Sequence, residues 1–98
     1  IHDEYDDEER YPVVINDHTW IFEGKTQLSD FYKIAQLDPE EFEKISGDAD
    51  TLAGLLLEIK GEFPQLHEKL VYGNYEFEIL EMDSRRILKV KFQKNESL

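Results

Sequence analysis

Asp50-Thr51-Leu52-Ala53-Gly54-Leu55-Leu56-Leu57-Glu58-Ile59-Lys60, closed by Gly61 and Pro64, decides the fold together with three short runs behind it. Leu52, Leu55, Leu56 and Ile59 recur at helical spacing and make an apolar stripe wide enough to lie on a sheet. Asp50 is the expected N-cap, with Thr51 able to serve instead. Gly54 weakens the helix by about 1 kcal/mol relative to Ala, which is tolerable where a neighbouring backbone passes close. Gly61 suits the left-handed residue after the last turn, and Pro64 blocks continuation. The runs that follow are Lys69-Leu70-Val71-Tyr72, Tyr75-Glu76-Phe77-Glu78-Ile79 and Ile87-Leu88-Lys89-Val90-Lys91-Phe92. Tyr75, Phe77 and Ile79 alternate with glutamates, which predicts one buried and one wet face. Leu88, Val90 and Phe92 are predicted to point inward, with Lys89 and Lys91 outward against the glutamate row. Gly73-Asn74 is a two-residue hairpin signal of the glycine-first kind, and Asp83-Ser84-Arg85 makes a second, longer turn.

Working backward, Gln27 to Ala35 reads as a helix capped by Thr26, with Leu28, Phe31, Ile34 and Ala35 on one face. Asp38-Pro39-Glu40-Glu41 starts another: an acceptor at the cap, proline at the first helical position, acids over the positive end. Phe42 and Ile45 are its apolar contribution, and Ser46-Gly47-Asp48 ends it. Val13-Val14-Ile15 and Thr19-Trp20-Ile21-Phe22 read as strands, joined by Asn16-Asp17-His18, residues that tolerate left-handed angles. The predicted architecture is α+β, in the order β-β-α-α-α-β-β-β, with the main helix across a largely antiparallel sheet. Residues 1–10 form an acidic linker or tail, 11–93 the domain, and 94–98 a frayed end.

Composition narrows the function. The net charge is −12, with 15 acids against 4 bases in residues 1–50 and 8 against 7 in residues 51–98. Such an acidic half repels phosphate backbones and anionic lipid, so no nucleic-acid partner is expected. Cysteine is absent, which removes disulfides and thiolate metal sites. No run approaches the roughly 20 apolar residues of a membrane span, so this piece is not expected to insert in a membrane. The chain opens on Ile1 and not on methionine, which suggests a piece of a longer protein. At 98 residues it suffices for one core without a deep enclosed cleft.

Taken in order, Asp50-Thr51-Leu52-Ala53-Gly54, Gly61-x-x-Pro64, and Tyr72-Gly73-Asn74-Tyr75-x-Phe77-x-Ile79-Leu80-Glu81-x-Asp83-x-Arg85-Arg86-Ile87 resemble the CorC/HlyC transporter-associated domain. His18-Thr19-Trp20-Ile21-Phe22-Glu23-Gly24 is similar to that family's second strand, and Asp3-Glu4-Tyr5-Asp6 to the acidic linker leaving its CBS pair. The resemblance covers nearly the whole chain. Three departures stand out: Ser84 where glycine is common, a longer stretch from 39 to 49, and Gln27 where proline is frequent. The resemblance implies a non-catalytic regulatory or assembly domain of a bacterial membrane protein linked to Mg²⁺ and Co²⁺ efflux. It also implies a cytoplasmic position at the inner membrane. The implied partners are a CBS-domain pair and a membrane region of the same polypeptide, with a homodimer formed through the full-length protein. The implied fold is also similar to half of an FAD-binding domain. No cofactor is expected, and FAD enters through that fold similarity alone.

Tyr72 and Tyr75 either line a groove for a flat ring or pack at the hairpin. Arg85 and Arg86 either pair with an anionic ligand or partner acids, or form a solvated turn with Asp83. Those four are the ligand-binding candidates, while Asp50, Thr51, Leu52, Gly54, Gly61, Pro64, Gly73 and Phe77 are structural. His2, His18 and His67 lack metal-ligand spacing, and no triad or phosphate-cradling loop is legible. The acids of residues 3–9 read as a solvated run or a cation-gathering one.

Overall fold

The computed structural model describes residues 11–84 and 86–95. The acidic stretch of residues 1–10, Arg85 and residues 96–98 lie outside the described part. Five strands form one antiparallel sheet in the order β1-β2-β5-β4-β3: β1 Val13–Asn16, β2 Thr19–Glu23, β3 Lys69–Tyr72, β4 Tyr75–Met82 and β5 Ile87–Lys94. Between β2 and β3 the chain makes α1 Leu28–Ile34, a 3₁₀ turn Pro39–Phe42, α2 Glu43–Ser46 and α3 Leu52–Lys60. The element order and the α+β class are those expected. The last strand in sequence is the central one in space, sandwiched between β2 and β4.

The leucine stripe packs inward. Leu52, Leu55 and Leu56 are fully buried, and Ile59 packs half-buried against the same core. The hub of that core is aromatic. The Phe92 ring of β5 lies 4.9 Å from Phe31, 5.1 Å from Phe77 and 5.8 Å from Trp20. Phe31 in turn stands 5.0 Å from Phe22, edge to face. Aromatic pairs at such distances add roughly 0.5–1.5 kcal/mol each beyond the area they bury.

Several local expectations are corrected. Thr51, not Asp50, caps α3: its Oγ1 accepts from the Gly54 N–H at 3.2 Å. Asp50 contributes its backbone carbonyl instead, which accepts from the Leu28 N–H at 2.9 Å. The residue before α1 is Gln27 and not Thr26, with no side-chain cap. Thr26 and Gln27 instead pair with the start of α3, through a Gln27–Thr51 bridge and the Leu52 N–H to Thr26 carbonyl bond of 2.8 Å. Two helix starts therefore satisfy each other's unpaired donors. Ile34 is exposed, because six residues at about 100° each carry it some 120° from Leu28, whereas Phe31 and Ala35 stay inside.

In β5 the inward residue is Ile87 and not Leu88. The β4–β5 register slips twice, once beside Leu80 and again at Leu88, and the extra residue reverses the facing of everything before it. Lys89 consequently pairs with Glu81 at 3.2 Å, while Glu76 pairs with Lys69 of β3 at 3.8 Å. The turn after β1 closes by Asn16 Oδ1 accepting from the His18 N–H at 3.0 Å, without any left-handed residue. The C-terminal end is not frayed at Lys94. That residue belongs to β5 and donates its N–H to the His18 carbonyl at 2.8 Å, and Asn95 donates to Asn74 at 2.7 Å.

Candidate functional site

The candidate ligand residues sit at opposite ends of β4. Tyr72 and Tyr75 flank the β3–β4 hairpin, whose positive φ of 61° falls on Gly73 as a glycine-first turn requires. Arg86 lies at the β4–β5 turn, roughly 20–25 Å away at the rise of an eight-residue strand. The two tyrosines and Arg86 do not converge on one ligand.

At the hairpin end, the segment that the resemblance marks as long closes over the tyrosines. Phe42, fully buried, stacks 5.3 Å from the Tyr75 ring and 5.4 Å from Tyr32, and lies tilted 5.5 Å from Tyr72. The Tyr72 hydroxyl donates to the Glu41 carbonyl at 3.0 Å, and the Tyr75 hydroxyl donates to the Glu41 carboxylate. Burial first, then the Glu41 carboxylate, push the Tyr75 phenol up to about 12. One face of each ring is thus covered by the protein itself. Asp38 opens this segment as expected, its carboxylate accepting from the Glu40 N–H at 3.0 Å.

At the other end, Asp83 organises the turn. Its carboxylate accepts from the Arg86 N–H at 3.0 Å and from the guanidinium Nη2 at 3.0 Å. Beside Arg86 opens a groove of about 350 Å³, whose walls include Ala53, Gly54 and Leu57 of α3, Phe63, and Lys25. Gly24 sits at its base, donating to the Leu88 carbonyl at 2.9 Å and accepting from the Ala53 N–H at 2.9 Å. A second depression shares Lys25, Arg86 and Ile87 with the first and adds Glu23, Glu81 and Lys89. The Tyr11 hydroxyl, and then Glu81, hold the Lys89 ammonium above the usual lysine range, and Lys89 also lies 5.0 Å from the Tyr11 ring centre.

Gly61 takes φ 85° after α3, Pro64 and Phe77 are buried, and a Cβ on Gly54 would meet Ala49 Cβ at 3.1 Å. Sequence reasoning missed Glu41 and Lys25 as groups near the candidate residues. Neither belongs to a chemical motif, and only the fold brings them there. Among the described residues no group of three or more His, Asp or Glu side chains is placed to hold a metal, and no helix is long and apolar enough to cross a membrane.

A helix-covered antiparallel sheet with shallow surface grooves defines a small α+β domain. The model of the CorC_HlyC transporter associated domain matches residues 13–96, and the chain belongs to this family. Hemolysin C of Brachyspira hyodysenteriae is 29% identical over 94 residues, which cover 96% of this chain and 34% of that protein. The magnesium and cobalt efflux protein CorC of Escherichia coli (strain K12) is 30% identical over 93 residues, 92% of this chain and 30% of that protein. A transporter associated domain from a CBS domain protein of Porphyromonas gingivalis is 40% identical with a TM-score of 0.76, over 85% of this chain and 95% of that one. The chain thus spans about a third of the length of these curated relatives.

Proposed function

We propose that this domain is a non-catalytic regulatory and assembly module of a bacterial membrane ion transporter of the Mg²⁺/Co²⁺ efflux or hemolysin-like type. It works on the cytoplasmic side of the inner membrane, against a CBS-domain pair and membrane region of the same polypeptide. The observation that carries this is one of proportion. The family match takes nearly all of this chain, while the chain corresponds to only 34% and 30% of its relatives. A unit of that share, with its aromatic residues spent on a core and its tyrosines covered by Phe42 and Glu41, suits transmitting or stabilising a state more than performing chemistry.

Deleting residues 11–95 from the full-length protein tests it. The expected result is altered cation efflux or altered assembly, with membrane insertion retained. Efflux and assembly both unchanged would sink the proposal. The purified domain is expected to show no rise in melting temperature with FAD, ATP or AMP, whereas a yellow protein or a ligand-dependent rise would replace this reading with a small-molecule-binding one.

A further inference from the structure

Between Asp38 and Asp48 the chain is attached differently from the rest of the domain. Among the described residues no backbone–backbone hydrogen bond ties residues 38–48 to another element. The Glu41 N–H goes to the Asp38 carbonyl and the Ala49 N–H to the Ser46 carbonyl, each at 2.9 Å, so both bonds close local turns. Phe42 is the one fully buried residue of this segment, and α2 buries none. Attachment is therefore by side chains. The Phe42 ring sits among Tyr32, Tyr72 and Tyr75, with Phe31 at 6.3 Å beneath, the two hairpin tyrosine hydroxyls donate to Glu41, and Ile45 is half-buried. Charge works against closure: Asp38, Glu40, Glu41, Glu43 and Asp48 accompany one base, Lys44, and none of these acids is ion-paired among the described residues. The flanks, by contrast, are fixed. Leu37 is buried and donates its N–H to the Tyr32 carbonyl at 2.7 Å, and the Asp50 carbonyl is held by the Leu28 N–H. Gly47, at φ 58° and ψ −128°, is the left-handed first residue of the turn that returns the chain to Ala49.

We infer that residues 38–47 form a strap that opens as one unit while the sheet and α3 stay folded, pivoting after Leu37 and at Gly47. Closed, Phe42 plugs the ring cluster and Glu41 latches both hydroxyls. Opening withdraws plug and latch together and uncovers the faces of Tyr32, Tyr72 and Tyr75 that Phe42 covers. The tyrosines at the hairpin thus have a covered and an uncovered state, and the strap sets which one holds. The physical reason is a contrast in what each motion breaks. The strap gives up one plugged ring, one half-buried side chain and two side-chain bonds, and regains chain freedom. Releasing β4 or β5 would break hydrogen-bonded ladders on both sides. The strap is a property of the domain alone and does not depend on the transporter role proposed above.

Native-state hydrogen exchange of the 98-residue chain, at rising urea below the unfolding transition, tests the inference. The Glu41 and Glu43 N–H groups, bonded inside the strap to Asp38 and Glu40, report its opening. The Leu55 and Val90 N–H groups, in α3 and the central strand, report global unfolding. Corrected for intrinsic rates, Glu41 and Glu43 should exchange about tenfold faster or more than Leu55 and Val90. They should share one urea dependence, above zero and shallower than that of the core pair. Ile79→Val trims a buried contact that persists in the open state, so it should speed Leu55 and Val90 about threefold to tenfold and leave Glu41 and Glu43 unchanged. Tyr75→Phe removes half of the latch and should speed Glu41 and Glu43 about fivefold to tenfold. A strap that matches the core in rate and urea dependence, or that follows Ile79→Val, overturns the inference, because it then opens only with the whole domain. Zero or unequal urea dependence at Glu41 and Glu43 overturns it too, as fraying without a unit, and so does indifference to Tyr75→Phe.

Discussion

A Cβ added to Gly24 would lie 2.0 Å from the carbonyl oxygen of Ile87, closer than any relaxed contact allows. Gly24 also bonds to Leu88 and Ala53, so it is where β2, β5 and α3 meet. Gly24→Ala is expected to cost about 1–3 kcal/mol, the usual range for overpacking against atoms that cannot move aside. Gly61→Ala meets nothing within 4 Å and carries only the left-handed penalty of about 1–2 kcal/mol. Urea unfolding of both variants checks this; a neutral Gly24→Ala would show that β5 can shift.

The cap of α3 gives a sharper contrast. Thr51→Ala removes the bond to the Gly54 N–H and should cost about 1 kcal/mol. Asp50→Ala should cost much less, since Asp50 acts through its backbone carbonyl. Equal losses in the two variants would contradict the cap assignment.

Alkaline unfolding should depend on Tyr75. Its phenol ionises at about 12 in the folded chain against an ordinary 10.0, so the folded state holds this proton more tightly. The contribution is therefore complete below pH 10 and lost as pH rises towards about 12. Tyr75→Phe is expected to flatten the stability curve in that window, and Glu41→Gln to narrow it. Phenolate absorbance against pH, paired with melting temperatures, reads both effects. An unchanged alkaline limb in Tyr75→Phe would remove the Glu41 contact from the account.

At acid pH the corresponding group is Glu68, which lies between Lys60 at the end of α3 and the Gln65 N–H. The Lys60 ammonium, then that N–H, hold its carboxyl below the ordinary 4.5. Stability from this pair is present above 4.5 and lost as pH falls through the lower folded value. Glu68→Gln should make the acid limb of a pH–melting curve shallower and leave the neutral melting temperature little changed, as exposed pairs contribute little. A steeper limb would run against the assigned sign.

Truncating the aromatic hub, Phe92→Ala, should cost about 3–5 kcal/mol, because the fully buried ring touches Trp20, Phe31 and Phe77 at once. Near-ultraviolet circular dichroism and urea unfolding would report it. A loss under about 1 kcal/mol would mean that the neighbouring rings close the cavity.

Much of this domain was legible in its residue order. The α3 stripe, the glycine-first hairpin at Gly73, the Asp38-Pro39 start and the Gly61 stop are legible because each depends on neighbours within a turn or two. The misreadings share a different origin. Leu88 against Ile87 turned on an extra residue in one strand, which appears only when β4 and β5 are paired. Asp50 against Thr51 turned on Asp50 being used by α1, a helix more than twenty positions away. The candidate site fared less well: Tyr72 and Arg86 look near in the string but stand at the two ends of β4, since a strand separates residues as fast as a chain can.

By itself the residue string determined which segments become helix or strand and, for α3 and the first half of β4, which face is apolar, since periodicity and capping are short-range physics. Only the tertiary structure decided that the last strand lies at the centre of the sheet, that Phe42 and Glu41 cover the two tyrosines, and that Lys25 and Arg86 line one groove beside α3. Those placements arise from burying the apolar faces of distant segments against one another, and no local pattern encodes which distant partner covers which face.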